Sequence, residues 1–267
     1  MNLLVLSDLH IDTHDNFGIF QWTEMDFIMQ IELLRDHFAI DKVIFNGDTF
    51  ELFKYTFDEI KEANPIIMDY FRDKDFIFIK GNHDMLNDLA VDHYQILNSK
   101  GQSIYIEHGH NADWLDGTKI GRALCKFGFL LLKKLSRYKS LLNLYFKIVA
   151  INDHVNHIPK KYNTIKYLTY ALKLLKEHDV VIFGHTHKLE SHKTYYLNTK
   201  KRYINSGTCS LGRFQAVVMD TETLKYELIK ESKDSIKKKF KKKQVEKVYH
   251  NHAKSKETSS ISNGIIF

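Results

Sequence analysis

Five short segments of this 267-residue chain carry side chains able to hold metal ions: Asp8-Leu9-His10, Gly47-Asp48, Gly81-Asn82-His83-Asp84, His108-Gly109-His110 and Gly184-His185-Thr186-His187. Carboxylate, imidazole and amide donors in this mixture suit Mn, Fe, Zn, Co or Ni, and the segments hold no thiolate of the kind that marks a softer site. Two divalent cations about 3.5–4 Å apart can bind a phosphate, hold a hydroxide between them and neutralise charge on the entering and leaving oxygens. Asp48, alone after its apolar run, suits the carboxylate that bridges both ions. Asp8 and His10 lie two residues apart and would project to the same side of an extended chain, so both reach one metal. His185 and His187 share that spacing and could serve both metals, with Asn82 and His108 completing the second. His83 should point away from Asn82, which makes it the acid that protonates a leaving alkoxide. Asp84 is then expected to orient His83 through its other ring nitrogen.

Each segment follows a run of β-type apolar residues, at 3–6, 43–45, 76–79, 104–106 and 180–183. Strands that each end in a polar ligand build one convergent site along a sheet edge. Residues 1–110 alternate strands with helices expected over 22–38 and 58–72, whereas 180–230 carry short alternating runs that predict mostly antiparallel strands. Between them, 111–177 read as a helical insertion, with Leu124, Phe127, Leu130, Leu131 and Leu135 in its first half and an amphipathic helix over 164–177. Two domain-level parts result: 1–230, containing the insertion, and a Lys-rich tail over 231–267 expected to lack fixed structure.

The composition, 43% hydrophobic and 27% charged, is that of an ordinary globular protein. Two cysteines in unrelated contexts, Cys125 and Cys209, point to neither a disulfide framework nor a Cys-based zinc site, which fits a reducing compartment. The chain enters its first strand at once, without the basic and apolar segments of a cleavable leader, and a cytoplasmic location is expected, with peripheral membrane contact. The net charge of +6 is local: residues 233–257 hold ten Lys against three acids, so the remainder sums to about −1. The run 237–243 suits anionic lipid or nucleic acid, or simply a solubilising end. Arg122, Lys126, Lys133, Lys134 and Arg137 either grip a diphosphate or form the solvated face of a helix. His110 either faces the substrate or caps a loop. The remaining histidines, among them His14, His178 and His192, read as ordinary surface or core residues.

The ordered set resembles the calcineurin-like metallophosphoesterase superfamily, whose pattern D-x-H, G-D, G-N-H-D/E, a lone His and G-H-x-H is matched by Asp8 and His10, Gly47-Asp48, Gly81 to Asp84, His108, and Gly184 to His187. The resemblance implies an α/β fold, a four-layer α/β/β/α sandwich of two mixed sheets, here with a helical cap insertion. It implies Asp8, His10, Asp48 and His187 on one metal and Asp48, Asn82, His108 and His185 on the other. The segment Gly47-Asp48-Thr49-Phe50-Glu51 and the helical insertion are similar to the UDP-2,3-diacylglucosamine diphosphatase-like branch, in which the cap accommodates acyl chains. The expected activity is therefore phosphoester hydrolysis with two divalent ions, manganese foremost. A metal-bridging hydroxide would attack phosphorus and His83 would act as acid on a nucleotide- or lipid-linked diphosphate. Rival readings are a phosphodiesterase for cyclic nucleotides or nucleic acid, a phosphoprotein phosphatase, and a non-catalytic scaffold stabilised by metal. The expected partners are a phosphorylated small-molecule or lipid-linked substrate and an anionic membrane surface met by the cap or the Lys-rich tail. No specific protein partner is expected.

Overall fold

The computed structural model describes residues 1–72, 74–84, 90–135, 138–157 and 161–235. The chain forms two compact units, Met1–Lys230 and Glu231–Phe267, and the Lys-rich run 237–243 lies outside the described residues. In the first unit, β1 (Asn2–Leu6), β2 (Lys42–Asn46) and β3 (Ile77–Ile79) run parallel. β9 (Arg213–Asp220) pairs antiparallel with β1, and β10 (Tyr226–Ser232) closes a sheet of order β10-β9-β1-β2-β3. The second sheet has order β4-β5-β6-β8-β7, from β4 (Tyr94–Leu97), β5 (Ser103–Ile106), β6 (Val180–Phe183), β8 (Thr199–Ser206) and β7 (Leu189–Tyr196). Its three central strands are parallel and its two edges antiparallel.

Strand alternation creates the layers. Leu3 and Val5 of β1 pack with Ile44, Ile79, Ile104, Ile106, Val180, Ile182, Ile204, Val217 and Met219, one cluster drawn from both sheets. Leu4 and Leu6, also fully buried, belong to the opposite face of β1. Burying an aliphatic side chain of this size contributes roughly 1.5–3 kcal/mol, so the inter-sheet layer is a major source of stability. On the outer side of the first sheet lie α1 (Glu24–Phe38), with Phe27, Ile31 and Leu34 buried, and α3 (Pro65–Arg72), whose Phe71 ring packs 4.8 Å from Phe45. On the outer side of the second, α7 (Lys161–Leu174) and Leu175 cover Val181, Phe183 and Tyr203. The architecture is mixed α/β, two mixed sheets flanked by helices.

The helix expected over 58–72 is two helices, α2 (Phe57–Ala63) and α3. Asn64 leaves the helical region at φ −133°, as a residue before proline tends to do, and its buried amide bonds the Asp12 and Ile60 carbonyls. Thr56 starts α2 with a capping box to Glu59. The insertion contains α4 (Trp114–Gly117), α5 (Lys119–Leu135) and α6 (Lys139–His157), and α7 serves as a layer of the sandwich. The cap meets the body at Lys54: its Nζ donates to the Tyr145 hydroxyl of α6 at 2.9 Å, and its carbonyl accepts from Lys133 of α5 at 2.8 Å. Ile120, Leu124, Phe127 and Leu131 of α5, spaced as one helical stripe, are exposed. Among the described residues no helix is long and apolar enough to cross a membrane.

Candidate functional site

The strand tips are stitched together beyond their sheets. The Asp8 amide donates to the Gly47 carbonyl, His10 to Asp48, Ile11 to Thr49 and Gly184 to His108, all at 2.9–3.1 Å. Asp8, His10, Asp48, His185 and His187 all have φ between 51° and 66°. The extended geometry expected for Asp8-Leu9-His10 is thus replaced by alternation of left-handed residues with an ordinary one between them. A non-glycine residue there costs roughly 1–2 kcal/mol, and such strain characteristically sits where a site over-determines the backbone. Gly81 is required for a different reason: a Cβ on it would lie 2.1 Å from Asp48 Oδ1 and 2.2 Å from the Asp48 amide nitrogen. Gly81→Ala should cost about 3 kcal/mol of stability by urea denaturation, and a variant within 0.5 kcal/mol of wild type (a margin of about that size is ordinary for surface changes) would show that the tip can yield.

Potential ligand atoms of Asp8, His10 and His187 lie within 4.8 Å of one another, and so do those of Asp48, His108 and His185. Asp48 stands between the groups, with Oδ2 3.3 Å from His108 Nε2 and 3.9 Å from His10 Nε2. Asn82 is buried beside them, and its Nδ2 donates to Asp116 Oδ1 at 3.2 Å. Asp8 Oδ1, His10 Nε2, Asn82 Oδ1 and His108 Nε2 are all buried without a hydrogen-bond partner. Orphaned buried polar atoms are costly and rare, and four of them, all on residues expected to ligate, fit the presence of cations. The opposite atoms are fixed: His108 Nδ1 bonds the Asn46 carbonyl at 2.8 Å, His10 Nδ1 faces Glu51 Oε2 at 3.2 Å, and Asp8 Oδ2 accepts from the His185 amide at 2.9 Å. Each such bond turns its partner atom toward the centre.

The electrostatics agree. Burial opposes ionisation of Asp8, yet His187 and His108 beside it bring its carboxyl down to about 2; burial and His108 act likewise on Asp48, whose carboxyl is held well below the usual range. Burial disfavours a charged His108, but Asp48 and Asp8 push it up to about 10, whereas burial and the charge of His108 bring His185 down to about 3. A cation at His108 would expel that proton.

His83 is held as expected for an acid, but not by the expected group. Asp84 Oδ1 accepts from the amides of Gly81 (2.6 Å) and Asp48 (3.3 Å), and Oδ2 from those of Thr49 (2.7 Å) and Phe50 (3.4 Å). Its carboxylate pins the two tips together, and burial and Asp48 raise it to about 6. The partner of His83 Nδ1 is Glu51 Oε1 at 2.7 Å, while Glu51 Oε2 faces His10 and the buried Lys54 Nζ at 3.3 Å. Against the effect of burial, Glu51 and Asp48 push His83 up to about 9. Glu51→Gln removes the charge that favours imidazolium, so His83 loses its proton at lower pH. The alkaline limb of the pH–rate profile should move down and kcat should fall roughly 10–100-fold; an unmoved limb would exclude the pair from proton control.

A cleft lined by Leu52, Phe53, Asn82, His83, Arg122 and Lys126 runs from the site to α5. Lys133 faces the Tyr55 ring at 4.0 Å, away from that lining, and Lys134 is exposed. His110 makes no capping bond; it is buried 5.7 Å ring to ring from His108, and burial and His108 bring it down to about 4. His14 bonds Asn64, and His178 bonds Ser103, as structural residues do. Glu51, Lys54 and Asp116 were not singled out from sequence. Glu51 stood within the Gly47–Glu51 element, whereas nothing near Asp116 marks it.

Residues 1–189 match the model of the calcineurin-like phosphoesterase family. The chain belongs to that family. No curated protein matches it. It is similar to several solved structures. A dimetal phosphatase from Danio rerio is 10% identical over 87% of this chain and 99% of its own, with a TM-score of 0.46. An archaeal phosphodiesterase is 19% identical over 86% and 100%, TM-score 0.40. Zinc-complexed Vps29 from Entamoeba histolytica is 16% identical over 86% and 99%, TM-score 0.40.

Proposed function

We propose that this protein is a dinuclear-metal phosphoester hydrolase acting on a nucleotide- or lipid-linked diphosphate. The observation that carries the reading is the convergence of Asp8, His10 and His187 with Asp48, His108 and His185, together with four orphaned buried atoms. Asp8, His10, Asp48 and His187 would hold one divalent ion, and Asp48, Asn82, His108 and His185 the other, with manganese the preferred metal. When bound, the ions supply Lewis acidity toward a phosphoryl group and activate water at neutral pH. His83, kept protonated by Glu51, donates its proton to the leaving oxygen. Asp84 holds the two tips that carry Asp48 and Asn82 in register. Arg122 and Lys126 across the cleft bind the remaining phosphate of a diphosphate.

The exposed stripe on α5 sits among lysines, which suits a lipid chain or an anionic membrane surface, and the Gly47–Glu51 element is similar to the UDP-2,3-diacylglucosamine diphosphatase-like branch. The protein would then act in the cytoplasm, peripheral to the membrane. Mn-loaded protein should hydrolyse bis-p-nitrophenyl phosphate and lose that activity on chelation; inertness with and without Mn would favour a metal-stabilised scaffold. A panel of UDP-linked lipids, dinucleoside polyphosphates, cyclic nucleotides and phosphopeptides should show the highest kcat/KM for a diphosphate, and a preference for either of the last two would overturn the substrate class.

A further inference from the structure

The cap delivers one carboxylate to the metal-site residues. Asp116 of α4 accepts a hydrogen bond from Asn82 Nδ2 through Oδ1, and its Oδ2 lies 3.6 Å from His185 Nε2. The two residues it touches are both assigned to the same cation, the one also held by Asp48 and His108. An amide keeps its oxygen and nitrogen in one plane, so a bond from Nδ2 fixes where Oδ1 points. Asn82 is only 3% exposed, and its Oδ1 is one of the orphaned atoms. Without Asp116 the same amide could rotate by half a turn and present its NH₂ group to the cation.

The placement of Asp116 is itself built. Arg122 of α5 donates to the Asp116 carbonyl at 2.9 Å, and the Gly117 amide donates to the Asp113 carbonyl. Asp113, which shares with Asp116 and His185 a set of ligand atoms within 4.8 Å, is already engaged by Lys166 and by the Tyr167 hydroxyl of α7. That division of labour leaves Asp116 as the carboxylate directed at Asn82 and His185, with Asp113 tying α4 to the sandwich.

We propose that Asp116 is a cap-borne positioning residue of the metal centre, holding Asn82 with Oδ1 toward the cation of Asp48, Asn82, His108 and His185 and placing a negative charge beside that cation. The cap and the occupancy of this one metal position are thereby linked: the cation favours α4 in place, and α4 in place favours the cation. The inference rests on the dinuclear reading above.

Titration of the metal-free full-length protein with MnCl₂ in a calorimeter tests it. Wild type should bind two equivalents. Asp116→Ala should bind one as wild type does and the other about 10–100-fold more weakly, the range for losing a group that orients a ligand. Asp116→Asn keeps an acceptor for Asn82 and loses the charge, so its weaker equivalent should fall between the two, a graded response that a merely structural role would not give. Two equivalents bound by Asp116→Ala as tightly as by wild type would overturn the role of Asp116 alone. Equal weakening of both equivalents in both variants would overturn it too, since that reports a general loss of structure. Fewer than two equivalents in wild type would overturn the dinuclear reading and this inference with it.

Discussion

Asp48→Asn should lower kcat/KM for phosphodiester hydrolysis by about 10³-fold, equivalent to ~4 kcal/mol of transition-state stabilisation. The substitution keeps the shape of the side chain, so the fold should survive. What is lost is the charge on Oδ2, the atom that faces both His108 and His10. The other oxygen, Oδ1, accepts from the His83 amide at 2.8 Å, so Asp48 also sets the tip that carries the acid. A carboxylate shared by two cations holds their spacing, and an amide with one weakly basic oxygen cannot carry the same charge. Calorimetry should show two Mn equivalents in wild type and a clear weakening in the variant. Wild-type turnover by Asp48→Asn would remove Asp48 from the bridging role.

His83→Ala should lower kcat by ~10³-fold on a substrate with an alkoxide leaving group, within the usual range for loss of a general acid. Metal binding should be unchanged, because Nδ1 of His83 is committed to Glu51 and its ring stacks on Phe53 at 4.2 Å. The loss should be much smaller for bis-p-nitrophenyl phosphate, whose leaving group departs well without a proton. Equal losses on both substrates would mean that His83 stabilises the phosphoryl group and donates no proton. The wild-type rate on the alkoxide substrate should hold as pH rises and decline above about 9, where His83 gives up its proton, and this limb should vanish in the variant.

The strand tips were legible because each couples an apolar run to a ligand, and both halves of that signal are local. Pairing order was not, since β1 joins β2 on one side and β9 on the other through residues some two hundred positions apart. The edge strands β4 and β10 escaped notice because half-exposed edges show little apolar contrast. The sandwich layer formed by α7 looked like part of the cap for a related reason: helical periodicity reports a buried face, not what covers it. Asp84 was paired with His83 on adjacency alone. A buried carboxylate goes where donors are concentrated, and here those are the amides at the β2 and β3 tips. Glu51 filled the vacant role from thirty-two residues away, and Asp116 lies thirty-four residues from Asn82, distances over which only the fold can relate two side chains.

The left-handed backbone at Asp8, His10, Asp48, His185 and His187 bears on how long the protein lasts in a cell. Five such residues oppose folding by of order 5–10 kcal/mol, comparable with the whole net stability of a typical domain. Each divalent ion bound at a hundred times its Kd returns about 2.7 kcal/mol. Folded lifetime should therefore follow metal supply: chelation should lower Tm and speed proteolysis before any side chain is altered. Under metal starvation the chain would be cleared sooner, and its abundance, as well as its turnover number, would record the available cation.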